Sequence, residues 1–113
     1  MNKVGVEGEQ IAAEYLESHK YEVVERNFRA KTGEIDLIAK KDGYYVFVEV
    51  KSRLSARFGA PMQAVTREKQ RKIVRTAEYY LMAKRISDVD IRFDVIEVFC
   101  DRVNHVENAF WAN

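Results

Sequence analysis

The chain has 113 residues and a formal net charge of +1, with 47% hydrophobic and 33% charged residues. That length suits one domain with a single core, spanning residues 1–113, and the composition is that of an ordinary globular protein. No run approaches the ~20 consecutive apolar residues of a membrane span, and Glu7, Glu9 and Glu14 interrupt the region where a signal peptide would carry its apolar core, so the expected compartment is the cytoplasm, with no membrane partner.

Residues 6–19 read as an amphipathic helix, with Ile11, Ala12, Tyr15 and Leu16 gathered on one face. Glu9 falls within about 20° of Leu16 on the helical wheel, at the edge of the apolar stripe. Two readings fit a first-turn carboxylate there: a partner for the helix dipole or a catalytic group. Residues 21–29 follow as a first strand, rich in β-branched and aromatic side chains. Lys31-Thr32-Gly33 turns the chain, with Arg29 and Lys31 as solvated charges or phosphate contacts.

The next two strands are joined by Asp42-Gly43. Flanked by apolar residues, this dipeptide is a strong hairpin signal, because both central residues of a type I′ turn need positive φ. A two-residue loop pairs Lys41 with Tyr44, so paired positions sum to 85. Asp36 then lies opposite Glu49, and Glu34 opposite Lys51. The period of two sorts the faces. One carries Ile35/Val50, Leu37/Val48 and Ala39/Val46, a dry surface. The other carries Glu34/Lys51, Asp36/Glu49 and Ile38/Phe47. Asp36/Glu49 falls at a non-hydrogen-bonded position, where Cα atoms come within about 4.5 Å. Like charges so placed destabilise a sheet, and a divalent cation with oxygen ligands is the natural neutraliser. A Glu34/Lys51 cross-strand ion pair, worth under about 1 kcal/mol, would explain those two residues but not the facing acids.

Residues 52–65 form a long loop with Gly59-Ala60-Pro61 as its breaker. It carries Arg53, Arg57 and Phe58, as a substrate clamp or as a merely mobile segment. Residues 66–85 read as a second helix, with Thr66 as N-cap and Glu68 in the first turn. Ile73, Val74, Ala77 and Leu81 supply its buried stripe. Arg67, Arg71 and Arg75 repeat every four residues as a basic ridge joined by Lys72, while Lys69 and Gln70 open the helix within reach of the acidic hairpin. Residues 51–85 hold ten Lys/Arg against two Asp/Glu. A basic segment directly after an acidic cluster suits a site that holds a polyanion over bound metal.

Residues 90–100 read as a fourth strand and 103–110 as a fifth. Asp94 reads as a paired structural acid, and His19 and His105, isolated from other ligand types, as structural or surface residues. Cys100 has no partner for an internal disulfide and, within an apolar run, reads as a buried small hydrophobe. The order of elements gives an α/β domain with a central mixed sheet flanked by helices.

Asp36 followed by Glu49-Val50-Lys51 resembles the D…ExK signature of the PD-(D/E)xK nuclease superfamily. The wider string of Gly8-Glu9, Gly33-Glu34-Ile35-Asp36-Leu37-Ile38, Val48-Glu49-Val50-Lys51-Ser52-Arg53 and the closing Asn108-Ala109-Phe110 resembles the YraN family, small bacterial endonuclease-like proteins similar to archaeal Holliday junction resolvases. Ile35 stands where the superfamily's name has proline. The resemblance implies a restriction-endonuclease-like core and metal-dependent hydrolysis of DNA, at branched or single-strand-containing structures. It implies Mg²⁺ or Mn²⁺ on Asp36, Glu49 and the Val50 carbonyl, with Lys51 and Glu9 catalytic and Glu34 and Gln70 in secondary roles. Arg53, Arg57, Arg67, Lys69, Arg71, Lys72 and Arg75 are the expected DNA contacts. Resolvase-like relatives act as dimers, which makes a homodimer a candidate assembly, with Phe110 and Trp111 at a candidate interface. The alternative from another class is a nucleic-acid-binding accessory module with little or no chemistry.

Overall fold

A computed structural model describes residues 3–52, 65–100 and 102–112, with side chains from Glu7 onward. The elements run α1 (Lys3–Ser18), β1 (Glu22–Ala30), β2 (Gly33–Lys41), β3 (Tyr44–Ser52), α2 (Arg67–Ala83), β4 (Asp90–Phe99) and β5 (Arg102–Phe110). The five strands form one sheet in the order β1-β2-β3-β4-β5. β3 and β4 are parallel and the other neighbours antiparallel. This is the expected α/β domain with a mixed sheet, consistent with a restriction-endonuclease-like core. The parallel pair requires a crossover, which α2 supplies.

The helices cover opposite faces. α1 lays Ala12, Ala13 and Leu16 on Leu37, Ala39, Val46, Val48, Ile96 and Val98. α2 lays Ile73, Ala77 and Tyr80 on Ile35, Ile38, Phe47, Phe93 and Val95. Because both faces are covered, the middle strands carry unbroken buried runs: 35–39 in β2, 46–49 in β3 and 93–98 in β4. The α2 stripe is wider than its aliphatic residues suggest. Thr76 and Tyr80 are buried in it, while Val74 and Leu81 sit at its margin.

The hairpin forms as its turn dictates, with Asp42 at φ 51° and Gly43 at φ 82°. Lys41↔Tyr44, Ala39↔Val46 and Leu37↔Val48 pair in the expected register. Ile35 departs from the expected face and packs in the α2-side cluster. The alternation slips where β1 carries Asn27 in a left-handed conformation (φ 51°), between the pairs Arg26↔Leu37 and Phe28↔Ile35. The β2–β3 pairs end at the same level, with Leu37↔Val48. Cys100 also departs: it is exposed, in a left-handed conformation (φ 54°) just past the end of β4.

A buried polar network ties α1 to the far edge of the sheet. Asp94 accepts hydrogen bonds from Arg92, from the Asn108 N–H and from His105, which also meets the Tyr15 hydroxyl. Burial alone pushes Asp94 up, but the bonds from His105, Arg92 and Asn108 hold its carboxyl below the usual range. Asp94 is thus the paired structural acid the sequence suggests, and His105 is part of its cage. His19 lies exposed, its ring against the Tyr15 carbonyl.

Gly8 sets how closely α1 approaches the end of β3. A Cβ on Gly8 would lie 2.0 Å from the Ser52 hydroxyl oxygen and 3.3 Å from its Cβ. Replacing Gly by Ala in an open helix gains about 1 kcal/mol. Here overpacking, typically about 1–3 kcal/mol, outweighs that gain, so thermal denaturation of Gly8→Ala will show lower stability than wild type. In a Ser52→Gly background the same change becomes stabilising. A higher melting temperature for Gly8→Ala in the otherwise unchanged chain would contradict the close contact.

Candidate functional site

Where the β2–β3 pairing stops, a carboxylate takes over a backbone role. In a continued ladder the Val50 N–H would point to Ile35, the residue opposite it in the register. Instead the Val50 N–H donates to Asp36 Oδ2 at 2.8 Å. Asp36 and Glu49 are both buried, 9% and 8% exposed. They line one cleft of about 300 Å³ with Gly33, Glu34, Val50, Lys69, Lys72 and Ile73. The two acids, 13 positions apart in sequence, are therefore brought together as the hairpin register requires.

The cleft does not readily hold two negative charges. Burial raises the Asp36 pKa first. Glu49, as hydrogen-bond partner and as a charge, raises it further; the Val50 N–H pulls it down and the charge of Glu9 adds a last push. The result is an Asp36 pKa of about 8 against an ordinary 3.8. Glu49 Oε2 is buried without a hydrogen-bond partner among the described residues. The Lys69 ammonium lies against that oxygen as an ion pair, outside hydrogen-bond geometry. The ion pair with Lys69 offsets part of the cost of burying that charge. The donor set, two carboxylates with a backbone carbonyl at Val50, is all oxygen and suits a hard divalent cation such as Mg²⁺ or Mn²⁺. The site fits such an ion.

Lys69 and Lys72 line the cleft, from the first turns of an α2 capped by Thr66, whose side chain accepts the Lys69 N–H. Glu9 is half-buried and its charge is felt at Asp36, but among the described residues no group of three His, Cys, Asp or Glu gathers. Lys51 follows Glu49 on β3, half-buried, beside Glu97 of β4 in register. Gln70 turns away: its amide donates to the Val65 carbonyl at 2.8 Å, anchoring the entry to α2 rather than reaching the acids. Glu34 pairs with Arg29 across β1–β2, not with Lys51, so the expected cross-strand pair does not form. Arg67, Arg71 and Arg75 are exposed along α2. Arg53 and Arg57, with Phe58, lie outside the described residues.

Glu97 escaped the sequence reading. It is 3% exposed and accepts a hydrogen bond from Asn104 at 2.9 Å. Its side alternates with that of Ile96 and Val98, which face α1, so it shares the sheet face of its register neighbour Lys51. The signal was a second carboxylate, after Asp94, within the apolar run of β4.

With this geometry in hand, comparison with known proteins places the chain. A family model described as "Uncharacterised protein family UPF0102" matches residues 8–98. The chain belongs to the UPF0102 family. This is the YraN family that the sequence motifs resemble. A UPF0102 protein of Persephonella marina is 43% identical over 106 residues, covering 94% of this chain and 91% of that protein. One from Clostridioides difficile is 46% identical over 105 residues, covering 91% and 92%. One from Caldicellulosiruptor saccharolyticus is 44% identical over 118 residues, covering 97% and 100%. The match to the UPF0102 model takes in Glu9, the whole β2–β3 hairpin and α2, hence every described residue of the cleft. No helix among the described residues is long and apolar enough to cross a membrane.

The raised Asp36 pKa has a definite sign in stability. Between the unfolded value near 3.8 and the folded value of about 8, the native protein holds a proton that the unfolded chain has released. Stability of the metal-free protein from this group is therefore full below about pH 4 and is lost as pH rises toward 8, with a slope of at most about 1.4 kcal/mol per pH unit. Denaturant melts in the presence of a chelator will show wild type losing stability relative to Asp36→Asn over that window, since the amide needs no proton. Parallel profiles for the two proteins would overturn the assignment.

Proposed function

We propose that this chain is a metal-dependent DNA endonuclease whose site is the Asp36/Glu49 cleft. The observation that carries the reading is the buried pair of acids, one disposed to hold a proton near neutral pH and the other with an oxygen lacking a hydrogen bond. Asp36, Glu49 and the Val50 carbonyl would hold Mg²⁺ or Mn²⁺. Such an ion supplies Lewis-acid polarisation of a phosphodiester and a more acidic bound water. The chain's own residues do the rest. Lys51 offsets negative charge developing on the phosphate, and Glu97 beside it helps to fix the ammonium. Glu9 orients water at the edge of the site. Lys69 and Lys72 draw a phosphate into the cleft, and Arg67, Arg71 and Arg75 carry the strand along α2. Arg53 and Arg57 would add to that grip.

A second reading, a nucleic-acid-binding module with little chemistry, is favoured by one observation: Arg67, Arg71 and Arg75 stand exposed along α2. Such a module needs only the cations of α2, and its affinity falls steeply with salt.

The test is incubation of duplex, single-stranded, flap and four-way-junction DNA with Mg²⁺ or Mn²⁺. Wild type should cut at least one substrate, and Asp36→Asn should bind without cutting. Lys51→Ala should cut about 100- to 1,000-fold more slowly, the scale for losing one electrostatic contact to a transition state. Salt-sensitive binding with no metal-dependent cutting of any substrate would establish the second reading instead.

A further inference from the structure

We infer that Tyr79, stacked on Phe28, is a subsite for an unpaired DNA base near the scissile phosphate. This inference rests on the nuclease reading and assigns its substrate a single-stranded segment. Tyr79 lies seven residues after Lys72 on α2. Seven residues are two helical turns, so both side chains leave the same side of the helix. Tyr79 is also the next member of the four-residue series Arg67, Arg71, Arg75. The ridge that leads cations away from the cleft therefore ends in an aromatic ring.

That ring is 47% exposed, one of few large apolar side chains so open among the described residues. Burial does not account for its position. Its neighbour Tyr80 is 4% exposed and packs edge-on to Phe28 and Phe47. Tyr79 instead lies nearly parallel to Phe28 of β1, with centroids 6.2 Å apart and planes 30° from each other. Phe28 lies to one side of the ring, and nearly half of Tyr79 is open to solvent. The exposed charges of this helix face are Arg67, Lys69, Arg71, Lys72 and Arg75 against Glu68 and Glu78, so the approach to the ring is electropositive.

An aromatic ring at the end of a cationic track is how single-stranded nucleic acid is held: cations follow the backbone and a ring takes the face of a base. A base inside a duplex has both faces stacked and cannot use such a ring. The rise from Lys72 to Tyr79 is about 10 Å, the length of about three stacked nucleotides of one strand. The base on Tyr79 is thus about three nucleotides from the phosphate held at Lys72, as in a single-stranded arm or the unpaired crossover of a branch.

The test is fluorescence anisotropy with a labelled 15-nucleotide single strand and its duplex, in chelator so that nothing is cut. Wild type should prefer the single strand. Tyr79→Ala should lose about five- to 100-fold in single-strand affinity, the range for removing one base–aromatic stack, and so lose the preference over duplex. Tyr79→Phe, which keeps the ring, should bind within about twofold of wild type. A strand containing 2-aminopurine should be quenched by wild type and Tyr79→Phe but not by Tyr79→Ala. Unchanged single-strand affinity in Tyr79→Ala, equal losses for both DNAs, or a Tyr79→Phe defect as large as that of Ala would each overturn the subsite while leaving the nuclease reading intact. No binding of either DNA by wild type would overturn both.

Discussion

Two carboxylates that must not both be charged govern this molecule. Asp36 and Glu49 sit on adjacent central strands under α2, almost out of water, and burial and mutual repulsion both disfavour two negative charges there. The chain meets that constraint with three devices. The Val50 N–H is diverted to Asp36, Asp36 takes up a proton, and Lys69 is set against Glu49. Each is a partial remedy. On the proposed reading, a divalent cation would replace the proton and displace the ammonium at once.

The fold serves that constraint from both faces. On one, Gly8 allows α1 to lie against Ser52, and this brings Glu9 close enough for its charge to reach Asp36. On the other, the Thr66 cap and the Gln70–Val65 bond fix the start of α2, so Lys69 and Lys72 line the cleft. The Asp94 network, with its four polar partners drawn from β4, β5 and α1, holds the far side of the sheet and takes no part in the cleft. Its polar residues hydrogen-bond one another, whereas among the described residues Glu49 Oε2 has an ion pair with Lys69 and no hydrogen bond. That contrast distinguishes the Asp94 network from the Asp36/Glu49 cleft more clearly than burial does.

Much of the site was legible in the sequence because a two-residue turn leaves no freedom in register. Asp42-Gly43 determined the pairing, and the pairing placed Asp36 beside Glu49. Periodicity failed where the backbone departs from regular pleating. The left-handed Asn27 and the end of the β2–β3 pairs send Ile35 to the α2 face, and no pattern of apolar residues announces either. Thr76 escaped because a hydroxyl that bonds the Lys72 carbonyl is cheap to bury, and Cys100 was misplaced because β4 ends one residue early. Lys69 and Gln70 were equivalent by sequence; only the structure separates the one that reaches Glu49 from the one that caps Val65. The parallel pairing of β3 with β4 was not legible in the sequence, since strand direction leaves no trace in the period of two.

The measurement that bears most directly on the acidic pair is calorimetric titration of Mn²⁺ into the protein at pH 7, repeated in buffers of different ionisation enthalpy to count protons. If one ion takes the place of the proton on Asp36, binding releases about one proton per ion, because ligands must deprotonate to bind metal, and Asp36→Asn loses both the proton release and most of the affinity. Binding without proton release, or binding that Asp36→Asn leaves unchanged, would contradict the account.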